Sequence, residues 1–453
     1  MAMAFDLLIQ GGEIVSSEGV HPGDVGILAG RIEAVGALAG QPAAETLDAS
    51  GLLVFPGLID TQVHFREPGI EAKEDLESGS RAAICGGVTS VLEMPNTHPP
   101  TTNLVALDDK LRRARGRVWC DIGFFVGATS DNAHDLEDLE QRPGTPGMKI
   151  FMGASTGSLL VSEEDDLRRV LKAGKRRVAV HAEDEARNQE RKTLLSANPH
   201  AREHPYLRDA ESARIATERI LRLSRETGRP VHILHVSSAD EPHLIEAAKR
   251  DGLDVSAEVT PQHLFFAAPD CYERLGTRAQ MNPPIRSEEH RAALWKALAA
   301  GLFDMFGSDH APHTLAEKAH AYPHSPSGMP GVQTMLPVLL TFASRGLLGY
   351  NDIVRMACES PASLYGVALK GRIAPGFDAD LTLVDPKASR VFERGMVQSK
   401  CGWSPYEGET LTGWPVHVLL HGGFAVRDGT LVGMPSGRIL DFDWKRAGVA
   451  HGR

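Results

Sequence analysis

Val178-Ala179-Val180-His181 is an apolar run with the length of a β-strand, and it ends in an imidazole. Four other stretches also join a run of strand length to a metal-binding or acid–base side chain: Asp60-Thr61-Gln62-Val63-His64, Gly147-Met148-Lys149, Ile233-Leu234-His235 and Met305-Phe306-Gly307-Ser308-Asp309. The intervals between them match one or two βα units. Because the strands of a parallel barrel all end on one face, we expect these side chains to meet there. The first hypothesis is therefore a hydrolytic metal centre.

Strand and helix patterns alternate through the middle of the chain. Candidate strands lie near residues 55–63, 88–93, 118–126, 147–152, 177–182, 230–236, 253–259 and 303–308. Helical patterns with polar faces separate most of them, as in Glu163–Ala173, Asp209–Thr227 and Ala239–Arg250. The pattern predicts an α/β fold, a (β/α)8 TIM-like barrel over residues 55–365. A doubly wound open sheet is the competitor, but no Gly-x-Gly-x-x-Gly turn follows the first strand.

The two ends of the chain have a different pattern. Residues 1–54 contain short alternating strands, with turns expected at Gly11-Gly12 and Ala29-Gly30. Similar sequence returns after residue 366, where Asp428-Gly429 resembles a hairpin turn. Neither segment is large enough to bury a core alone. We therefore expect residues 1–54 and 366–453 to form one small β-sandwich domain.

Composition excludes several classes of function. The net charge of −11 gives no general attraction for nucleic acid or acidic membranes, so an anionic small-molecule substrate needs a local cation. No apolar run approaches the length of a membrane span, and the first residues lack the pattern of a signal peptide. An odd number of scattered cysteines argues against a disulfide framework and is typical of a reducing cytoplasm. These are Cys85, Cys120, Cys271, Cys358 and Cys401.

Three of the strand-end residues are histidines: His64, His181 and His235. One strand-end histidine is more often structural than a ligand. Three at the ends of separate barrel strands favour a metal site instead. Imidazole suits zinc and its neighbours, and a catalytic site leaves one coordination position open.

Lys149 does not suit a metal site as an ammonium, and a strand-end lysine that extends to solvent is the simpler interpretation. Its neighbours Met148, Ile150, Phe151 and Met152 are apolar, however, and burial lowers the pKa of a lysine. A neutral amine can capture carbon dioxide. The resulting carbamate resembles a carboxylate and can bridge two metal ions.

Asp309 lies in Gly307-Ser308-Asp309-His310-Ala311-Pro312-His313, at the end of the last predicted strand. Its carboxylate can bind one metal and hold the proton of a reacting water. The alternative is a helix N-cap, since Pro312 follows closely. Because the other four candidate site residues also stand at strand ends, the catalytic interpretation is favoured.

At this point the motifs are similar to a known family. The chain resembles the dihydroorotases of the amidohydrolase superfamily, along nearly its whole length. The resemblance rests on Phe55-Pro-Gly-Leu-Ile-Asp60, His64-Phe-Arg66-Glu-Pro-Gly69, Glu93-Met-Pro-Asn96-Thr97, Met148-Lys149-Ile-Phe-Met-Gly153, Leu234-His235-Val-Ser-Ser, Asn282-Pro-Pro-Ile-Arg286, Asp309-His-Ala-Pro-His313 and Ser399-Lys-Cys-Gly-Trp403-Ser-Pro. Two of these stretches, at 148–153 and 399–403, resemble one bacterial branch in particular.

The resemblance implies a role for each matching residue. The metal-binding set is His64, Lys149 as a carbamate, His181, His235 and Asp309, around one or two zinc ions per chain. Arg66 and Asn96 receive the carboxylate of the substrate. Asn282, His313 and the Ser327-Gly328 loop hold its ring. Arg66 follows His64 by two residues, so both side chains leave a strand on one face, and its planar fork suits a carboxylate.

Gln62 departs from the family pattern, which has His-x-His at the end of the first strand. A glutamine oxygen is a poorer zinc ligand than an imidazole. We therefore expect the position beside Gln62 and His64 to hold metal more weakly than the position beside His181 and His235. The resemblance implies that the same bacterial branch also carries glutamine here.

The resemblance implies a cytoplasmic hydrolase of cyclic amides, which interconverts (S)-dihydroorotate and N-carbamoyl-L-aspartate in pyrimidine (UMP) biosynthesis. A homo-oligomer is compatible with the chain, although no sequence feature selects one. Two alternatives stay open. The first is a hydantoinase or allantoinase, which shares the barrel, the metals and the lysine. The second is a non-catalytic dihydroorotase-like subunit, which only Gln62 favours.

Overall fold

The computed structural model describes residues 4–154 and 159–444. Within these residues the strands, in chain order, are β1 (Phe5–Ser16), β2 (Gly19–Leu28), β3 (Arg31–Gly36), β4 (Ala43–Asp48), β5 (Leu53–Pro56), β6 (Leu58–Val63), β7 (Val88–Glu93), β8 (Asp121–Phe124), β9 (Val126–Gly127), β10 (Met148–Phe151), β11 (Val178–His181), β12 (Val231–Ile233), β13 (Val255–Val259), β14 (Met305–Phe306), β15 (Leu381–Val391), β16 (Thr410–Leu420), β17 (Gly423–Arg427) and β18 (Thr430–Leu431).

The α-helices of the same residues are α1 (Leu76–Cys85), α2 (Leu104–Ala114), α3 (Leu136–Glu140), α4 (Glu164–Lys172), α5 (Glu185–Lys192), α6 (His204–Leu207), α7 (Ala210–Thr227), α8 (Glu241–Arg250), α9 (Pro261–Phe265), α10 (Asp270–Leu275), α11 (Glu288–Ala299), α12 (Leu315–Lys318), α13 (Met335–Ser344), α14 (Tyr350–Val354) and α15 (Ser360–Tyr365). Helix α7 shows why the predicted helices form, since Asp209 caps its first turn and Gly228 ends it at φ +70°. No described helix is both long and apolar enough to cross a bilayer.

The parallel strands alternate with helices, as the sequence predicts, and give a TIM-like α/β arrangement. They pair in two ladders, β6-β7-β8 and β9-β10-β11-β12-β13-β14. Phe125 is the single residue between β8 and β9, so one continuous segment joins the ladders on that side.

A fully closed ladder, which the barrel prediction implies, is not present in the described residues. Between β6 and the segment after β14 the structure has only an isolated bridge, Val63 to His310. The amide of His64 donates to the carbonyl of His310 at 2.8 Å, and the amide of His310 donates to the carbonyl of Gln62 at 3.3 Å. Strand β14 is two residues long, and Asp309 takes a left-handed φ of +43°, so the extended pairing stops there.

The chain ends share one hydrogen-bonded sheet of nine strands, in the order β18-β17-β16-β15-β5-β1-β2-β3 with β4 beside β1. Strand β15 pairs antiparallel with β5, so the two terminal segments meet directly. Division of this sheet into the two layers of a sandwich, and the domain boundaries, stay predictions. The expected turn at Gly11-Gly12 is wrong: β1 continues through it with a bulge, because Gly11 takes φ +73° without leaving the strand.

Side-chain alternation along the parallel strands separates two cores. In β10 and β11, Met148, Ile150, Val178 and Val180 belong to the large core that includes residues of the surrounding helices. Ala179 belongs to a second cluster with residues of other parallel strands, such as Ile59 and Leu92. Because side chains alternate between the two faces of a strand, Lys149 and His181 lie on the face opposite to the large core.

Candidate metal centre

The five strand-end residues come together in one pocket of about 330 Å³. Its lining comprises Gln62, His64, Arg66, Asn96, Lys149, Phe151, His181, His235, Asn282, Asp309, Ala311, Ser327 and Gly328. The pocket thus contains every site residue proposed from the sequence except His313. The parallel register explains the meeting, since Phe151 pairs with His181 and Val180 pairs with Ile233 across neighbouring strands.

His181 and His235 form one side of the pocket. Nδ1 of His181 lies 3.1 Å from Nε2 of His235, and their rings meet edge to face. Nε2 of His181 lies 2.8 Å from the Glu183 carboxylate, which accepts a proton and donates none when ionised. This contact places the proton of His181 on Nε2 and its lone pair on Nδ1, toward His235. A nitrogen pair so arranged is suited to share one metal ion.

Gln62, His64 and Asp309 form the other side. The Gln62 amide donates to Oδ1 of Asp309 at 3.1 Å, and Nε2 of His64 lies 3.3 Å from the same oxygen. Nδ1 of His64 lies 2.6 Å from Oδ1 of Asn96 and must donate to it, so its Nε2 carries the lone pair. Two acceptors therefore face each other between His64 and Asp309. A proton on Asp309 or a cation between the two groups relieves their repulsion.

Lys149 lies between the two sides. Its Nζ is completely buried, 4.5 Å from the centre of the Phe151 ring, and has no hydrogen-bond partner among the described residues. Burial lowers the pKa of Lys149 to about 7, against the opposing effects of Asp309 and Glu258. Near neutral pH a large share of this amine is therefore uncharged, the form that reacts with carbon dioxide.

Burial also controls the other titratable groups of the pocket. Burial, and then nearby cations such as Lys149, hold the pKa values of the histidines below the usual range, so the imidazoles are neutral and able to coordinate a metal. Burial raises the pKa of Asp309 to about 7, although Lys149 opposes the shift. An acid–base group with such a pKa is suited to proton transfer near neutrality.

Arg66 supplies the local cation. Its side chain is buried, Nε donates to the carbonyl of Pro312 at 3.1 Å, and Nη1 has no partner among the described residues. Burial lowers the pKa of Arg66 to about 10, which leaves it charged at neutral pH. Its φ is +63°, and His235 and Asp309 are also left-handed, so three residues of one pocket have strained backbone.

His313 lies beside the pocket rather than in its lining. Its Nδ1 lies 3.1 Å from the Lys73 ammonium, and its Nε2 lies 2.9 Å from the Ser327 carbonyl. Because the ammonium can only donate, Nδ1 accepts and Nε2 donates. Both ring nitrogens are thus used by protein groups, and His313 supports the Ser327-Gly328 loop that lines the pocket. Gly328 takes φ +138°, and a Cβ there would lie 2.3 Å from the carbonyl oxygen of Ala311.

A second group of side chains that could hold a metal ion lies outside the pocket, at Asp121, Asp380 and His421. The Lys370 ammonium already lies 2.5 Å from each of the two carboxylates. The cluster is therefore a buried ion network, which joins β8 to the terminal sheet. Lys370 also pairs with Asp378, so a protein cation already occupies the cluster, and the pocket is the better candidate for a metal site.

The donor set of the pocket fits a divalent metal. It combines neutral imidazoles, a carboxyl group and a buried amine, and two buried polar atoms beside them, Lys149 Nζ and Gln62 Oε1, lack partners among the described residues. Such atoms are rare in native proteins and call for an explanation such as a bound ion. Sequence reasoning missed Glu183 and Phe151. Glu183 could have been found from its position two residues after His181.

Comparison with known proteins agrees with this architecture. Residues 53–425 match the Amidohydrolase family. The chain belongs to the amidohydrolase family. It is 39% identical to a dihydroorotase of Halobacterium salinarum over 413 residues, 90% of this chain and 94% of that protein.

Other members are similar at nearly the same level. An allantoinase of Deinococcus radiodurans is 34% identical over 97% of this chain and 99% of that protein. Among solved structures, L-hydantoinase (dihydropyrimidinase) from Arthrobacter aurescens superposes with a TM-score of 0.92, at 29% identity over 96% of this chain and all of that one. The family is thus established. The choice among cyclic amide substrates has to be argued from the residues of the pocket.

Proposed function

We propose that the protein is a metal-dependent cyclic amide hydrolase, a dihydroorotase that interconverts (S)-dihydroorotate and N-carbamoyl-L-aspartate in pyrimidine biosynthesis. The observation that carries the choice of substrate is Arg66, a buried cation with a free Nη1 in the lining of the pocket. In a chain of net charge −11, a buried cation needs an anionic partner, and a ring carboxylate provides it. The high identity to a dihydroorotase supports the same choice.

In this proposal the residues that would hold one or two zinc ions are His64, Lys149 as a carbamate, His181, His235 and Asp309. The free amine of Lys149 adds to carbon dioxide and releases one proton, which leaves a carbamate with two oxygens. When bound, the metal provides an acidified water and polarises a carbonyl. Gln62 is a weak ligand, so we expect the two positions to differ in affinity.

The protein residues then handle the proton and the substrate. Asp309 accepts the proton of the attacking water as its oxygen bonds to the ring carbonyl carbon. The carbon–nitrogen bond breaks, and Asp309 passes the proton to the departing nitrogen. Ring closure uses the same group in reverse, so one carboxyl performs both transfers.

Substrate orientation falls to the rest of the lining. Arg66 and Asn96 hold the ring carboxylate, while Asn282, Ser327 and Gly328 hold the remaining polar groups. His313 takes part by supporting Ser327, because its ring nitrogens already have protein partners. This assignment leaves the Arg66 Nη1 and the backbone of the Ser327-Gly328 loop as the main determinants of substrate choice.

The test of the substrate is an Arg66→Met variant, assayed with dihydroorotate, hydantoin and allantoin. We expect a fall in kcat/KM of roughly 10–100-fold for dihydroorotate, since a charge-assisted hydrogen bond to a buried group is worth about 1.5–3 kcal/mol. The neutral rings should change little. Arg177→Met is the matched control, because Arg177 is also buried but lies at the opposite ends of the strands, bonded to Asp254. Equal loss on all three rings would contradict the proposal.

A hydantoinase or allantoinase activity is the second candidate, favoured by the similarity to those enzymes. The same assay decides it, because wild-type protein would then hydrolyse hydantoin or allantoin faster than dihydroorotate. A non-catalytic role is separated by zinc analysis of the purified chain together with turnover. Metal in the pocket without turnover of any ring would support that alternative.

A further inference from the structure

The two imidazoles that face each other, His181 and His235, are connected by a second, outer path of polar side chains. His181 is followed after two residues by Glu183, and His235 is followed after two residues by Ser237. All four are buried. The path runs from Glu183 to Ser237 through two arginines that come from later segments of the chain.

The first link is Arg208. Its Nε lies 3.1 Å and 3.2 Å from the two Glu183 oxygens, and its Nη2 lies 2.5 Å from Oε2. Oε2 is also the oxygen that lies 2.8 Å from Nε2 of His181. The guanidinium group of Arg208 therefore binds the Glu183 carboxylate, and the same carboxylate accepts a hydrogen bond from Nε2 of His181. The planar fork fixes the carboxylate plane more firmly than a single ammonium could.

The second link is Arg286. Its Nη1 donates to the carbonyl of Arg208 at 2.9 Å, and its Nε donates to Oγ of Ser237 at 3.1 Å. The amide of Ser237 in turn donates to the buried Glu241 carboxylate at 3.0 Å. The strand end that carries His235 is thereby tied to the segment that holds Glu183.

His235 lacks an outer partner of its own. Its Nδ1 has no hydrogen bond to the described residues, in contrast to Nε2 of His181. Only the backbone route through Ser237 and Arg286 ties the position of His235 to the carboxylate network. Among the described residues, the outer path thus adds a second polar connection between the two rings to their direct contact and to the pairing of β11 with β12.

We infer that Glu183 is a positioning residue for the metal centre, which fixes the tautomer of His181, and that Arg208 and Arg286 fix the spacing of the His181 and His235 nitrogens. The inference rests on the proposed metal centre. A carboxylate behind a ligating imidazole sets ring orientation and raises ligand basicity, and its loss costs about 10–100-fold in metal affinity.

The first measurement needs neither metal nor substrate. In full-length protein labelled with ¹⁵N-histidine and stripped of metal, NMR gives the tautomer of His181, assigned by the signals lost in His181→Asn. We expect the proton on Nε2 in wild type and a mixture of tautomers in Glu183→Gln. A wild-type His181 with its proton on Nδ1 would overturn the inference without bearing on the proposed function.

The second measurement is the zinc dissociation constant by competition with a chelator. Glu183→Gln should bind zinc about 10–100-fold more weakly than wild type. Glu140→Gln is the matched control, because Glu140 is equally buried and paired with an arginine, Arg229, but does not contact the pocket. It should lower the free energy of unfolding and leave zinc affinity unchanged. Equal affinities in wild type and Glu183→Gln, or equal losses in both variants, would overturn the positioning role.

Arg208→Lys keeps the charge and loses the fork, so it serves if Glu183→Gln fails to fold. We expect a weaker zinc affinity than wild type with a smaller loss than in Glu183→Gln, and an unchanged affinity would count against the inference. The two proposals fail differently. A wild-type chain that binds no zinc refutes the metal centre, whereas tight zinc binding that is indifferent to Glu183 and Arg208 refutes only the positioning network.

Discussion

The two sides of the pocket are built differently. His181 is the last residue of β11 and His235 follows β12; the two strands pair directly in a continuous ladder, and an anionic carboxylate lies behind His181. Gln62 and His64 meet Asp309 where the ladder is interrupted, and the outer partner of His64 is the neutral amide of Asn96. A carboxylate strengthens an imidazole as a ligand and an amide does so less. The first side is therefore the tighter metal position in our proposal.

The two sides of one pocket are thus suited to different tasks. The His181 side has two imidazoles in contact and a fixed tautomer, which suits permanent metal binding. The other side has the carboxyl with a pKa of about 7, a weak amide ligand and the nearby Arg66, which suits proton transfer and substrate exchange. Lys149 belongs to both, since its buried Nζ lines the same pocket as His64, His181 and His235.

The largest effect should come from Asp309→Asn. An amide cannot accept the proton of water, so we expect turnover to fall by roughly 10²–10⁴-fold. Zinc on the His181 side and the free energy of unfolding should stay close to wild type. Asp304→Asn is the control, because Asp304 pairs with Lys249 at the start of β14, away from the pocket. Near-normal turnover in Asp309→Asn would contradict the role of Asp309 in proton transfer and therefore the assignment of different tasks to the two sides.

A smaller effect, of opposite sign, is expected from Gln62→His. An imidazole replaces a weak oxygen ligand, so the second zinc should bind about tenfold more tightly while the first is unchanged. Isothermal titration with zinc measures both steps. A gain in the first step alone would show that the tighter position lies beside Gln62, and the assignment of the tighter position to the His181 side would be wrong.

The smallest effect concerns pH. With a pKa of about 7, the Lys149 amine is mostly free at pH 8 and mostly protonated at pH 6.5, a change of roughly fourfold in the reactive form. Zinc uptake by the metal-free chain in bicarbonate should fall by at least that factor as the pH is lowered, because Asp309, with a pKa of about 7, also gains a proton and becomes a poorer ligand. The three imidazoles contribute little in this window, because burial holds their pKa values below the usual range. Uptake that is equal at both pH values would contradict a free-amine requirement.

The positions of several parallel strands could be predicted well from the sequence, because they are short and mostly apolar and are bounded by polar residues or glycine. The predicted strands near 88–93 and 177–182 correspond to β7 and β11 almost residue for residue. The strand expected over 55–63 divides at Gly57 into β5 of the terminal sheet and β6. Periodicity alone could not show this division, because Leu53–Pro56 and Leu58-Ile59 read as one apolar run around Gly57.

The gathering of the site residues followed from topology, but their detailed contacts did not. The role of His313 in holding the ring stays a prediction, and the contacts of its ring nitrogens with Lys73 and Ser327 are visible only in the folded loop. Glu183 reads as an ordinary acidic residue until Arg208, 25 positions later, is placed behind it. Lys73 and Arg208 are distant in the chain from the residues that they contact, so no local pattern identifies these partners.

The most direct test is a crystal structure of the full chain at graded zinc concentrations, with anomalous scattering to locate the ions and density to show the atoms on Lys149. We predict an ion between His181 and His235 at the lowest zinc concentration, a second beside His64 and Asp309 only at higher concentration, and a carbamate on Lys149. Zinc beside Gln62 first, or no ion in the pocket at any concentration, would contradict the account.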